Sequence, residues 1–105
     1  MSKIKVNKDL TNLNNGSYTG KIVKAVLCKS GKVMLKIALP DGTFFVSFYD
    51  EAAFGQYPFN YLFMAVDSDE LDDIVGLNVK FNILNNKSNK TGMMFSNIRK
   101  IRVID

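Results

Sequence analysis

Residues 32–49 read KVMLKIALPDGTFFVSFY, and the way this stretch pairs with itself decides the fold. Residues 32–39 alternate. Val33, Leu35, Ile37 and Leu39 point one way, while Lys32, Met34, Lys36 and Ala38 point the other, the period of a half-buried strand. Pro40-Asp41-Gly42 is a hairpin turn, and residues 43–49 form the returning strand. Two registers are open. A two-residue Asp41-Gly42 loop pairs Leu39 with Phe44, Ile37 with Val46 and Leu35 with Phe48, and leaves Phe45, Ser47 and Tyr49 outside. A three-residue loop with a glycine bulge flips every one of these side chains. The first register makes the core face wholly apolar and is the expected one.

Upstream, residues 18–28 read YTGKIVKAVLC, a long β-branched strand in which Gly20 marks a bend or bulge. Residues 1–16 read as an irregular N-terminal arm, with Asn12, Asn14, Asn15 and Gly16 as loop signals. Downstream, the aromatic stretch 54–63 contains Gly55 and Pro58, and residues 60–66 fit either a short helix or an apolar connector. Residues 68–75 read as a helix. Asp67 and Glu70 have capping-box spacing, acids fill the first turn, and Gly76 follows the end. Leu71, Ile74 and Val75 would face the core. Residues 77–84 alternate again, residues 85–92 (NNKSNKTG) form a basic loop, and residues 93–104 make the last strand. A change of phase between Phe95 and Ile101 predicts a bulge near Asn97 and Ile98.

A chain of 105 residues, 47% apolar and with only two Pro, suits one globular domain, taken as residues 1–105. The longest uncharged run, residues 52–66, contains Gly55, Gln56, Pro58 and Asn60 and is no membrane span. Residues 1–10 hold no apolar leader core. There is no His and a single Cys, Cys28, so neither a Ser–His–Asp triad, a Cys–His pair, an internal disulfide nor a Cys-rich zinc site can be built. No glycine-rich phosphate motif is present. The chain is therefore expected not to be an enzyme and to need no cofactor or metal. The stretch DSDELDD at 67–73 lacks the Gly and terminal Glu of an EF-hand loop. Cys28 is expected buried or half-buried on a strand, and a free thiol fits the cytoplasm. Twelve Lys against two Arg, with eleven Asn, suit A/T-rich coding DNA, as in low-GC bacteria and their phages and plasmids.

Three meandering strands, a helical connection and two further strands follow the order of the OB-fold, an all-β, five-stranded barrel with a helix between strands three and four. The long first strand with its glycine, the Pro40-Asp41-Gly42 turn and the closing run FSNIRKIRVI resemble the OB-fold single-stranded-DNA-binding proteins of phages and conjugative elements. The resemblance covers about residues 16–105. It implies a groove on the outer face of the second and third strands, flanked by the loops after the first and fourth. It also implies a role in DNA replication, recombination or transfer.

Binders of single strands join a positive groove to aromatic platforms. In the expected register Lys32, Met34, Lys36, Phe45 and Tyr49 share the outer face. Lys21 or Lys24 joins from the first strand, Lys87 and Lys90 from the basic loop, and Arg99, Lys100 and Arg102 from the last strand. The expected partner is single-stranded DNA, with RNA left open, and no membrane. An unclosed strand edge would leave room for a homodimer. The alternative is an OB-type protein-interaction or structural adaptor module.

The net charge of +4 conceals a segregation. Residues 1–49 carry eight Lys against Asp9 and Asp41, and residues 76–105 carry four Lys and two Arg against Asp105. Between them, residues 50–75 carry seven carboxylates and no Lys or Arg. Basic strands with an acidic insert suit a nucleic-acid face, and the acidic stretch 67–73 suits a basic protein partner or a surface that repels nucleic acid.

Overall fold

A computed structural model describes residues 9–87 and 89–104. Its strands are β1 (Asp9–Leu10), β2 (Gly16–Leu27), β3 (Lys32–Ala38), β4 (Phe44–Asp50), β5 (Asn78–Lys87) and β6 (Met94–Val103). One α-helix, α1 (Asn60–Val66), and two 3-10 turns, Glu51–Gly55 and Leu71–Ile74, lie between β4 and β5. The sheet order is β1-β4-β3-β2-β5-β6, with β1 parallel to β4 and the other pairs antiparallel.

This mostly β chain forms a six-stranded mixed sheet curled into a half-barrel, which corrects the expected closed five-stranded barrel. The strands β4 and β6 do not pair, and residues 9–15 lie between their edges. Asp9 and Leu10 pair with Phe44 and Phe45 of β4. On the other side the Leu13 N–H donates to Ser96 Oγ of β6 at 2.9 Å, and Asn85 Nδ2 donates to the Leu13 carbonyl at 2.7 Å. Ser96 is buried and also donates to the Asn85 side chain. The expected irregular arm is thus corrected at Asp9–Leu10, which form β1, while residues 11–15 are irregular as expected and residues 1–8 lie outside the described residues. Side-chain polar groups that reach backbone here replace ladder bonds, and buried backbone groups need such partners.

The β3–β4 hairpin takes the three-residue loop. Leu39 N–H donates to Thr43 O at 2.8 Å, Gly42 N–H donates to Leu39 O at 3.0 Å, and Gly42 has φ +91°. Asp41 Oδ1 accepts from the Thr43 N–H at 3.0 Å and from its hydroxyl at 2.6 Å, which holds the Asp41 carboxyl below its usual pKa. The pairs are therefore Ile37 with Phe45, Leu35 with Ser47 and Val33 with Tyr49, the reverse of the expected register. Phe45 is wholly buried, with its ring stacked 6.1 Å from Phe81, and Ser47, two residues on, is buried too. Ring burial does not choose this register, since Phe48 is exposed in exchange for Phe45; the turn does, with Gly42 at the positive φ that the three-residue loop requires.

Strand β2 serves two neighbours, pairing with β5 over Gly16–Lys21 and with β3 over Lys21–Leu27. Gly20 sits at the changeover, where a Cβ would stand 2.5 Å from the Ala38 carbonyl oxygen. The register slips at Val23, which keeps both Ile22 and Ala25 inward. In β6 the bulge falls at Arg99, between Ile98 and Lys100, one residue past the predicted pair.

The helical connection differs from expectation. The helix is α1, with Leu62 wholly buried, and residues 68–75 hold only one 3-10 turn. Asp67 adopts φ 52° and closes α1, its N–H donating to Met64 O at 3.3 Å. Having ended one helix it cannot start the next, and four crowded carboxylates at 69–73 repel one another. Ile74 is buried and Leu71 half-buried, but Val75 is exposed, not in the core. Phe54 and Phe59 stack at 4.6 Å beneath the half-barrel, with Tyr49 4.6 Å from Phe59. Cys28 is half-buried just past β2. Among the described residues no helix is long and apolar enough to cross a membrane.

Candidate nucleic-acid interface

Cross-strand partners share a face of a sheet, so the registers define three rows on the outer face of β2, β3 and β4. Val26, Met34 and Phe48 form one row, Lys24, Lys36 and Val46 the second, and Lys21, Ala38 and Phe44 the third. Phe48 is 53% exposed, and Lys21 and Lys24 are exposed, so one ring and two cations stand in solvent, while Phe44 is half-buried and Val46 buried. Lys36 Nζ lies 4.6 Å from the centroid of the Phe44 ring and 3.3 Å from Asp9 Oδ1.

Of the predicted site residues, Lys21, Lys24, Met34 and Lys36 come together here. Phe45 and Tyr49 do not. Phe45 is in the core, and Tyr49 packs against Phe54 and Phe59, its phenol pushed up by burial. Both are corrections that follow from the reversed register, and their alternating neighbours Phe44 and Phe48 take the outer positions. The turn itself carried the signal, because Pro-Asp-Gly places a glycine where a type I turn with a bulge needs positive φ.

Lys32 lies at the end of β3, paired with Asp50 at 3.1 Å. It borders a groove of about 450 Å³ at the unpaired seam, whose walls include Thr11, Asn12, Phe48, Met94 and Phe95. Phe95 is 48% exposed and was not foreseen as a contact. Asn85–Lys87, expected in the basic loop, instead continue β5 as a correction, with Lys87 opposite Met94, and Lys90 is exposed in the loop that follows. Arg99 projects from the bulge and is exposed. Arg102 and Lys100 stand apart from the three rows, in a cleft with Lys80, Tyr57 and Tyr61.

The acidic insert borders a cavity of about 720 Å³, where Glu51, Asp67 and Asp69 surround Phe54, Phe63 and Met64. Among the described residues no group of three His, Cys, Asp or Glu side chains is placed to hold a metal ion. No family model matches the chain, and no curated protein matches it.

Proposed function

We propose that this chain binds single-stranded nucleic acid without strong sequence preference. Single-stranded DNA is the favoured ligand, and replication, recombination or transfer of a phage or mobile element is the setting. The observation that carries this is the three-row face, where Lys21, Lys24 and Lys36 alternate with Phe44 and Phe48 across adjacent strands. Phosphates meet the ammonium groups and bases stack on the rings, each stack contributing about 1–3 kcal/mol. Stacking asks only for a π-face, which accounts for sequence tolerance. Five long strands, β2 to β6, with a helical connection between the third and fourth of them suit an OB-type scaffold opened at one seam.

Titration of labelled oligothymidylate against duplex DNA over a salt series tests this. Tighter binding to the single strand, weakening as salt rises, is expected. Equal binding of duplex, or none at low salt, overturns it.

A second reading, a protein-interaction or adaptor module, draws on the acid-rimmed apolar cavity beside α1. It requires a stable protein complex that survives nuclease treatment, is lost in Phe63→Glu, and accompanies no oligonucleotide binding.

A further inference from the structure

The cleft between α1 and the outer face of β5 and β6 has the same chemistry as the three-row face, in a separate place. Lys80 opposes Arg102, and Lys100 follows on β6 opposite Asn82, so three cations converge on one patch. Among the described residues none of the three takes part in a salt bridge. Facing them, Tyr57 and Tyr61 are 60% and 47% exposed and stand perpendicular, with centroids 5.8 Å apart. Exposed rings beside cations are the pairing of stacking platform and positive groove that binders of single strands use. The enclosed space is about 500 Å³, within the usual range for a small-molecule or single-nucleotide site.

The registers connect this cleft to the first face. Lys21 pairs with Ala38 on one side and Asn78 on the other, and Thr19 pairs with Lys80. A band of outward cations therefore runs from Lys36 and Lys24 on β3 and β2, through Lys21, to Lys80, Lys100 and Arg102. Rings stand at both ends, Phe44 and Phe48 at one and Tyr57 and Tyr61 at the other.

We infer that the Tyr57–Tyr61 cleft is a second nucleotide subsite, filled by the same strand after it crosses the outer face of β2. This rests on the proposed function. A base stacks on the exposed tyrosines, and its flanking phosphates meet Lys80, Lys100 and Arg102. The sheet thus acts as a track, and only an oligonucleotide long enough to span it reaches both ends.

The test uses the full chain and oligothymidylates from about 4 to about 16 nucleotides, the span of OB-type sites. Wild type should gain affinity in a second step as length grows. The Lys100→Ala/Arg102→Ala variant should lose that step, at least tenfold on the longest probe, and keep its affinity for the shortest. Its salt slope on the long probe should fall by about 1.4, two contacts at roughly 0.7 each for single strands. A 5-iodouracil-bearing probe should cross-link to Tyr57 or Tyr61 only when long. If wild type binds long and short probes alike, or the variant keeps the gain, the subsite is refuted while the first face stands. If wild type binds no probe of any length, the function itself fails, and the subsite with it.

Discussion

The Asp9 carboxylate lies 3.3 Å from the Lys36 ammonium, so an acid from the seam segment holds the central cation of the three-row face. Lys36 keeps only a quarter of its side chain exposed, between Asp9 and the Phe44 ring. A nucleic-acid phosphate must displace or share that carboxylate. Asp9→Asn should therefore tighten oligothymidylate binding. A partly exposed ion pair is worth about 0.2–1 kcal/mol, so a gain of roughly 1.5- to 5-fold is expected by fluorescence titration. Lys36→Ala should weaken binding. Unchanged affinity in both variants would remove Lys36 from the interface.

Phe45 and Phe48 make a matched pair for the register. Phe48→Ala removes a solvent-exposed ring and should cost about 1–3 kcal/mol of binding with little change in Tm. Phe45→Ala empties a wholly buried site stacked on Phe81 and should cost about 3–5 kcal/mol of stability. The opposite outcome, with Phe45 governing binding and Phe48 governing stability, would restore the two-residue loop.

Gly20 tests the changeover of β2 from β5 to β3. A Cβ there meets the Ala38 oxygen and Ile37 Cγ2, both at 2.5 Å, and a backbone atom yields poorly. Gly20→Ala should lower stability by about 1–3 kcal/mol in chemical denaturation. Gly55→Ala, where a Cβ finds open space, should stay within about 0.5 kcal/mol. Equal effects at both positions would mean the close approach is not a constraint.

Much of this architecture was legible from period and punctuation. Alternation placed β3, β6 and β5 as far as Leu84, but not Asn85–Lys87, and the Arg99 bulge falls one residue from the position its broken phase predicted. Two of the readings that went astray concern the turn and the helix start. A wholly apolar core face favoured pairing Phe44 inward, whereas the glycine turn chose the register that seats Phe45 and tolerates a buried Ser47. Capping spacing at Asp67 and Glu70 suggested a helix, but Asp67 was already spent closing α1. Nothing local marks β1, because two residues have no period, and its partners Phe44 and Phe45 lie thirty-five residues on. The Tyr57–Tyr61 cleft is equally silent in sequence, since Lys80 and Arg102 meet those rings only through pairing of β5 with β6.

Tyr49 gives the pH prediction. Its hydroxyl is buried at the seam and makes no hydrogen bond of normal geometry, and burial raises the phenol above its ordinary value of 10.0. The folded state thus holds its proton at a pH where the unfolded chain has released it. By linkage, the contribution is intact below pH 10 and is lost as pH rises from there toward the raised folded value. Stability measured by denaturant titration should fall more steeply above pH 10 in wild type than in Tyr49→Phe. At neutral pH the Phe variant should be as stable or up to about 1 kcal/mol more so, because a poorly bonded buried hydroxyl is removed while the ring packing on Phe59 remains. Parallel alkaline profiles for the two proteins would show that the phenol is hydrated through the open seam rather than sealed beneath it.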